Sequence, residues 1–179
     1  MTRQEYRTAL LKFKGESGSR WFNYFNMRGD WCAMFTSYAN RELLNNKDFP
    51  KSTTVISGSN AIERYLKDHI NTDFRTAEIG DIITFENNGN QSDGADHVGI
   101  CIGNANGMIE VIEGNTAAKT GFLDSTVNVY RYAYDNRLLC HCIDMSWWFT
   151  DKTENVTKPA TRAIKRIVIE YDDGTTEVR

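Results

Sequence analysis

The stretch GDWCAMFTSYANRELL, residues 29–44, contains a cysteine directly after Asp-Trp, where an amphipathic helix is predicted to begin. Apolar side chains recur at the spacing of one helical face, at Trp31, Phe35, Tyr38, Ala39 and Leu43. Asp30 is a candidate N-cap, because its carboxylate can accept from the unpaired N–H groups one turn on. We therefore predict a helix that ends near Asn45 and has Cys32 as its second residue.

A thiol at the start of a helix has two explanations. It can be a small apolar side chain in the core, or a thiolate stabilised by the unpaired N–H groups and the positive end of the helix dipole. The same N–H groups could then stabilise an oxyanion during acyl transfer. A reactive thiolate also needs an imidazole and a third group that orients the imidazole.

The chain has 3 histidines, and one of them suits a general base. His69 follows a charged pair near the end of a predicted helix and is interpreted as a solvated residue. His141 lies between two cysteines on a late predicted strand. His97 begins the apolar run HVGICIG directly after a Gly-Ala-Asp loop. An imidazole at the mouth of a strand, beside a loop, can reach both a substrate and a buried partner.

Two candidates for the orienting group end the next predicted strand, MIEVIEGNT. Glu113 and Asn115 are two residues apart, so on a regular strand both would point to the same face. If this strand pairs with the strand of His97, either side-chain oxygen could accept from the imidazole Nδ1–H. The alternatives are that Glu113 is a charge at a strand end and that Asn115 is a turn residue.

The order of elements along the chain predicts an α+β domain, with helices packed on one side of an antiparallel sheet. We predict helices over residues 2–14 and 61–70, the second capped by Asn60, and an ordered loop over residues 21–29. Short β-branched and aromatic runs then predict strands, at GDIITFEN, HVGICIG, GMIEVIEGN and VNVYRYAY. After a polar connection, the tail AIKRIVIEYDDGTTEVR predicts a short β-hairpin.

Charge and hydropathy exclude two classes of partner. The net charge is −3 and the pI is about 5.6, whereas a nucleic-acid-binding protein usually presents a basic face. No run approaches the roughly 20 apolar residues that cross a bilayer, so we expect no nucleic-acid binding and no membrane insertion. The first twenty residues also lack the apolar stretch of a secretory signal peptide. We therefore expect the protein to be made in the cytoplasm.

The cysteines offer a metal-site alternative that the spacing disfavours. Cys140, His141 and Cys142 could bind zinc together with Cys101, but zinc ligands in closed sites usually come in pairs two to four residues apart. On a regular strand Cys140 and Cys142 would share one face, with His141 on the other. We expect free thiols, no metal and no cofactor.

Four motifs in order resemble the CHAP family, the cysteine- and histidine-dependent amidohydrolases and peptidases. The family's W-C-A-x-F helix start matches residues 31–35, and its P-G-D-I-x-x-F strand matches residues 79–85 with Ile in place of the proline. Its H-V-G-I motif matches residues 97–100, and its E-G-N motif matches residues 113–115. A later V-x-x-x-x-Y strand looks like residues 127–134, so the resemblance covers about residues 17–144.

The resemblance implies a papain-like α+β fold and a cysteine hydrolase site. It implies Cys32 as nucleophile, His97 as general base and acid, and Glu113 or Asn115, or both, as the group that orients His97. Trp31 could line the substrate groove or belong to the core. Some related lysins bind calcium through clustered acidic residues near the nucleophile, but here Asp30 stands nearly alone, so we predict no metal.

The implied reaction is hydrolysis of an amide in bacterial peptidoglycan, either the N-acetylmuramoyl-L-alanine bond or a peptide bond of the stem or cross-bridge. We expect a phage or mobile-element lysin that acts on the cell wall after release by a separate pore or delivery system. Alternatives are a non-catalytic wall-binding or interaction module, and a cytosolic amidase for a small peptide-like substrate. We expect the catalytic domain to span residues 1–146, followed by a connection and hairpin at 147–179.

Overall fold

The computed structural model describes residues 1–56, 61–87, 94–116 and 123–151, together with the backbone of two strands near the C-terminus. The helices are α1 (Arg3–Leu11), α2 (Ser19–Phe25), α3 (Cys32–Tyr38) and α4 (Ile62–Tyr65). The strands are β1 (Ile70–Asn71), β2 (Ile82–Phe85), β3 (His97–Ala105), β4 (Met108–Thr116), β5 (Thr126–Ala133), β6 (Leu139–Ile143), β7 (Val168–Glu170) and β8 (Thr176–Val178). Within these ranges no helix has the length and apolar character to cross a membrane.

The first helix forms as the sequence predicts, although it ends at Leu11. The Thr2 hydroxyl accepts from the Glu5 N–H, and the Glu5 carboxylate accepts from the Thr2 N–H, so the two residues form a capping box. Tyr6 and Leu10, one turn apart, are fully buried. This face attaches α1 to the main core.

The segment at residues 21–29, predicted as an ordered loop, instead begins with α2. Trp21 is fully buried, and its ring stacks on that of Trp31 with 4.7 Å between centroids and 6° between planes. Burial of this aromatic pair outweighs the modest helix propensity of aromatic residues. Asn26 then ends α2 in the left-handed conformation, with φ of 54°. The loop prediction was therefore wrong as far as Phe25.

The third helix has the buried face that the sequence predicts. Trp31, Phe35 and Ala39 are all fully buried, and Tyr38 packs against the same core. The helix widens into a π-helical turn at Ala39–Leu43, where it ends. Burial of this face fixes the start of α3 against the sheet.

The predicted N-cap of α3 was wrong. Trp31 occupies the cap position and makes no side-chain capping hydrogen bond, so Cys32 is the first helical residue rather than the second. The Asp30 carboxylate accepts instead from the side-chain amide of Asn115, at 3.0 Å. The Asp30 carboxylate is therefore paired with Asn115, which is distant in sequence, and does not cap the helix.

Strands β1 to β6 form one antiparallel sheet in the order β1-β6-β2-β3-β4-β5. Strands β2 to β5 are the predicted meander, and β6 returns to pair with the far side of β2. Helix α3 packs against β3 and β4. The fold is therefore α+β, with the N-terminal helices on an antiparallel sheet.

Two apolar clusters cover the two faces of the sheet. The larger contains side chains of α1, α2 and α3 together with Ile82 and Ile100. The smaller contains Ile83, Phe85 and Val111 on the opposite face. Successive residues of β2 thus enter different clusters, as the period of two in a strand requires. The central strands are buried on both faces.

The predicted helix over residues 61–70 is shorter in the structure. Helix α4 is followed by a 3-10 turn at Lys67–His69, and the backbone becomes extended at Ile70, which begins β1. The proposed cap, Asn60, lies outside the described residues.

The C-terminal strands β7 and β8 pair antiparallel in a two-stranded sheet, as the predicted hairpin requires. Upstream of them, Phe149 is buried beside Tyr6, with ring centroids 5.5 Å apart. The Asp151 carboxylate accepts from the Arg3 N–H at 2.8 Å. The packed unit therefore continues to at least residue 151, and the domain division at residue 146 stays a prediction.

Candidate active site

The first turn of α3 carries the candidate nucleophile. Cys32 lines a cleft of about 420 Å³ and is 6% exposed. The first N–H groups of a helix have no carbonyl partner within it, so they are available to an anion at this end. The thiol thus lies where a thiolate and an oxyanion can both be stabilised.

The candidate base, His97, is the first residue of β3 and lies between Cys32 and Glu113. Its Nε2 is 2.9 Å from Glu113 Oε2. This nitrogen differs from the Nδ1 that we expected for the contact, so Nδ1 is the ring nitrogen left for the thiol. Burial lowers the pKa of His97, but hydrogen bonds to Cys32 and Glu113 raise it to about 10. The ring therefore retains its proton at neutral pH.

The pairing of β3 with β4 explains how Glu113 reaches His97. Gly99 lies directly opposite Glu113 in the antiparallel register. A Cβ at position 99 would lie 2.6 Å from Glu113 Cγ, which is closer than real side chains approach. The absence of a side chain at Gly99 leaves the room through which Glu113 extends toward the imidazole.

Asn115, the second candidate orienter, contacts a different part of the site. Its amide Nδ2 donates to Asp30, and its Oδ1 accepts from the Ser125 hydroxyl at 2.8 Å. The register of β4 and β5 shifts between Glu113 and Thr116, and Asn115 has a φ of 62°. This bulge breaks the alternation that would have put both side chains on one face.

A chain of hydrogen bonds connects Asn115 to the residue before the nucleophile. The Trp31 indole N–H donates to the Ser125 hydroxyl at 2.8 Å, and that hydroxyl donates to Asn115. Ser125 and Trp31 are both fully buried. The suggestion that Trp31 lines the substrate groove was therefore wrong. The indole belongs to the core, where it stacks on Trp21 directly before the start of α3.

Gly114 lies where β4 meets α3. A Cβ at this position would lie 2.6 Å from Phe35 Cβ and 2.6 Å from Cζ3 of the Trp31 ring. We predict that Gly114→Ala lowers the free energy of unfolding by about 1–3 kcal/mol, because the added methyl group overpacks the contact. Urea unfolding followed by tryptophan fluorescence measures the change.

The control for Gly114→Ala is Gly103→Ala. Its added Cβ would lie 3.4 Å from the nearest atom, the Glu110 carboxylate Oε2. Equal free energies of unfolding for the two variants would contradict the tight contact at position 114.

Tyr132 and Ser125 belong to the site but were not identified from the sequence. The Tyr132 hydroxyl donates to Glu113 at 2.8 Å. Alternation along β5 could have indicated it, because Asn128 is paired with Glu113 and Tyr132 has the same parity as Asn128. No comparable signal marks Ser125, whose contacts depend on the bulge in β4.

The rest of the cleft lining is polar. Beyond the residues already described, it contains Asn87, Asp96, Thr116 and Tyr130. The Asp96 carboxylate accepts from the Asn87 N–H at 2.9 Å, which fixes the end of β2 beside His97. Such a lining suits a peptide or glycopeptide, whose amides and hydroxyls need hydrogen-bonding partners.

The cysteine-rich strand β6 has other partners. His141 Nδ1 lies 2.7 Å from the buried Glu63 carboxylate, which raises the pKa of His141. A register shift in the pairing of β2 with β6 brings Cys140 against the helix-side cluster, whereas Cys142 enters the opposite cluster. The two thiols therefore do not share a face as expected. All four cysteines are free, and among the described residues no group of His, Cys, Asp and Glu side chains could hold a metal ion.

Comparison with known proteins identifies the family of the chain. The model of the CHAP domain family matches residues 23–115, just over half of the chain. The matched range contains Cys32, His97, Glu113 and Asn115, whereas Tyr132 lies beyond it. No curated protein matches the chain. On the strength of the family match, the chain belongs to the CHAP domain family.

Proposed function

We propose that this protein hydrolyses an amide bond of bacterial peptidoglycan through nucleophilic attack by Cys32. CHAP domains are hydrolase domains of the amidase and peptidase kind, and they act on peptidoglycan. The observation that carries the proposal is the position of His97, whose imidazole interacts with both the Cys32 thiol and the Glu113 carboxylate. A thiol, an imidazole and an orienting carboxylate are the groups that acyl-enzyme hydrolysis requires.

In this mechanism the proton of the Cys32 thiol already resides on His97, as the raised pKa of the imidazole requires, and the Cys32 sulfur attacks the amide carbonyl carbon. The Cys32 backbone N–H donates to the resulting oxyanion. His97 then protonates the departing amine, and the C–N bond breaks to leave a thioester. Finally His97 deprotonates a water molecule that hydrolyses the thioester. One water is consumed, and one amine and one carboxylate are released.

The protonation of His97 sets the pH range of this mechanism. Its contacts raise the pKa of His97 from an ordinary 6.5 to about 10, so the imidazolium forms below that pH. The stabilisation of the fold by these contacts is complete below about pH 6.5 and is lost as the pH rises through about 10. Activity that depends on the thiolate–imidazolium pair should therefore extend well into the alkaline range.

Two amides fit the proposal: the N-acetylmuramoyl-L-alanine bond, and a peptide bond of the stem or cross-bridge. The polar cleft beside Cys32 supports either, because both substrates present amides on each side of the scissile bond. We further propose that the protein is a phage or mobile-element lysin, made in the cytoplasm and delivered to the wall by a separate pore or delivery system. The support is the substrate itself, which lies outside the cytoplasmic membrane.

The proposal is tested with purified protein and a panel of purified peptidoglycans of different cross-bridge chemistry. We expect the turbidity of at least one suspension to fall and soluble fragments to appear. Binding to the wall without release of fragments would favour a non-catalytic module. Hydrolysis of small peptide amides, with every peptidoglycan left intact, would favour a cytosolic amidase.

We predict that a metal chelator leaves the hydrolysis rate unchanged within about twofold. The reason is that every step is assigned to Cys32, His97 and backbone groups, none of which needs a metal. The measurement is the rate before and after dialysis against chelator, with a calcium add-back as the control. A loss of tenfold or more that calcium restores would contradict the prediction.

A further inference from the structure

The carboxylate of Glu113 has two oxygens with two different partners. Oε2 faces His97 Nε2 at 2.9 Å, and Oε1 accepts from the Tyr132 hydroxyl at 2.8 Å. Glu113 is only 2% exposed. A buried carboxylate oxygen without a donor is costly, so the phenol stabilises the charge that His97 requires.

Packing holds the phenol in this position. Tyr132 lies on β5, the strand paired with β4. The Phe85 ring packs against both aromatic partners, with its centroid 4.9 Å from that of Tyr132 and 5.7 Å from that of His97. Phe85 is itself 1% exposed. The phenol and the imidazole are thus packed against one fixed ring.

Because Tyr132 stays protonated, its hydroxyl can only donate a hydrogen bond to Glu113. Burial, and then the negative charge of Glu113, raise the pKa of Tyr132 above its ordinary value. The phenol therefore keeps its proton throughout the working range of a Cys–His pair. It acts toward Glu113 only as a donor, which fixes the rotation of the carboxylate and leaves Oε2 for the imidazole.

We propose that Tyr132 is a positioning residue that acts through Glu113 on His97, and through His97 on the reactivity of Cys32. The order of contacts is Tyr132 to Glu113 to His97 to Cys32. The inference rests on the proposed function for its significance. Its test does not, because the reactivity of the thiol can be measured without any substrate.

The test is the pH dependence of Cys32 alkylation by iodoacetamide in Tyr132→Phe, read by mass spectrometry of the peptide that contains Cys32. Without this donor the carboxylate can rotate away from the imidazole, so the imidazolium next to the thiol is less stabilised. We therefore expect the alkylation midpoint to rise by about 1 pH unit, which corresponds to about 1.4 kcal/mol. Hydrolysis at pH 7 should fall about tenfold.

The matched control is Tyr134→Phe. It removes a hydroxyl that donates to the Asn104 side chain at 2.6 Å, outside the cleft, and should leave the alkylation midpoint unchanged. The double variant Tyr132→Phe with Glu113→Gln should show no shift beyond that of Glu113→Gln alone, because Tyr132 acts through the carboxylate. An additional shift in the double variant would overturn that route.

A second measurement covers the case in which Tyr132→Phe does not fold. In intact protein with 13C-labelled tyrosine, the Cζ signal of Tyr132 should not titrate up to pH 11. Titration near the ordinary value of about 10 would overturn the proposal, as would an unchanged alkylation midpoint in folded Tyr132→Phe. If that midpoint moves but no peptidoglycan is cleaved, the proposed hydrolysis of peptidoglycan is contradicted, while the positioning role of Tyr132 is supported.

Discussion

Replacing Cys32 by alanine is expected to lower the rate of peptidoglycan hydrolysis by at least about 10³-fold. The thiol is the only group in the proposed mechanism that bonds to the substrate carbonyl, and neither His97 nor Glu113 can replace it. The variant should remain folded, because Cys32 is a small side chain at the edge of the core. The initial rate of fragment release, with equal thermal unfolding midpoints for both proteins, measures the effect.

The matched control is Cys140→Ala, which removes the other cysteine that is not fully buried. Burial raises the pKa of the Cys140 thiol to about 11, so that thiol is a poor nucleophile at neutral pH. We expect Cys140→Ala to hydrolyse at the wild-type rate, and iodoacetamide to inactivate it as it does the wild type. Residual hydrolysis above about one tenth in Cys32→Ala would contradict a covalent mechanism through Cys32.

Glu113→Gln is expected to lower hydrolysis about 10²-fold at neutral pH and to change its pH dependence. The substitution keeps the shape of the side chain but removes the charge that helps to raise the pKa of His97 to about 10. The alkaline limb of the pH–rate profile should therefore move to lower pH. Misplacement of a catalytic base accounts for a loss of this size.

Glu63→Gln is the matched control, because Glu63 is also a buried carboxylate in contact with a histidine, but outside the cleft. It should leave the pH–rate profile unchanged. An equal displacement of the alkaline limb in both variants would indicate a general effect of lost charge rather than the contact with His97.

Asn115→Ala distinguishes the part of the site beside the start of α3 from the part around His97. Asn115 contacts Asp30 and Ser125, beside the start of α3, instead of His97. We therefore expect a loss of about tenfold without movement of the alkaline limb, because the position of Cys32 changes while the environment of the imidazole does not. If neither Glu113→Gln nor Asn115→Ala lowers turnover tenfold, the assignment of both residues to the site is wrong.

The positions of the nucleophile, the base and Glu113 can be recognised from short local patterns in the sequence. A helix start, a strand mouth and a strand end each have local signatures, at Cys32, His97 and Glu113. Pairing of consecutive strands in a meander then brings the last two together. Local pattern and simple topology placed these residues near one another, but the choice of Glu113 over a plain strand-end charge came from the family resemblance, and the ring nitrogen that faces Glu113 is Nε2 rather than the expected Nδ1.

The features that the sequence did not predict depend on irregular or long-range geometry. The bulge at Asn115 directs its side chain to Asp30, which removes the predicted cap from α3. Stacking of Trp21 on Trp31 makes a helix where the local sequence indicated a loop. In each case the deciding contact joins residues that are at least ten positions apart, so local propensity could not report it.

The most direct test of the central claim is the chemistry of the ends released from purified peptidoglycan. The proposed mechanism predicts one new amino group for each bond broken and no new reducing sugar ends, with both changes absent in Cys32→Ala. Mass spectrometry of the fragments then identifies the bond, since a new amino end on alanine next to muramic acid indicates the muramoyl amide and any other residue indicates an endopeptidase. New reducing ends without new amino groups would contradict amide hydrolysis by this site.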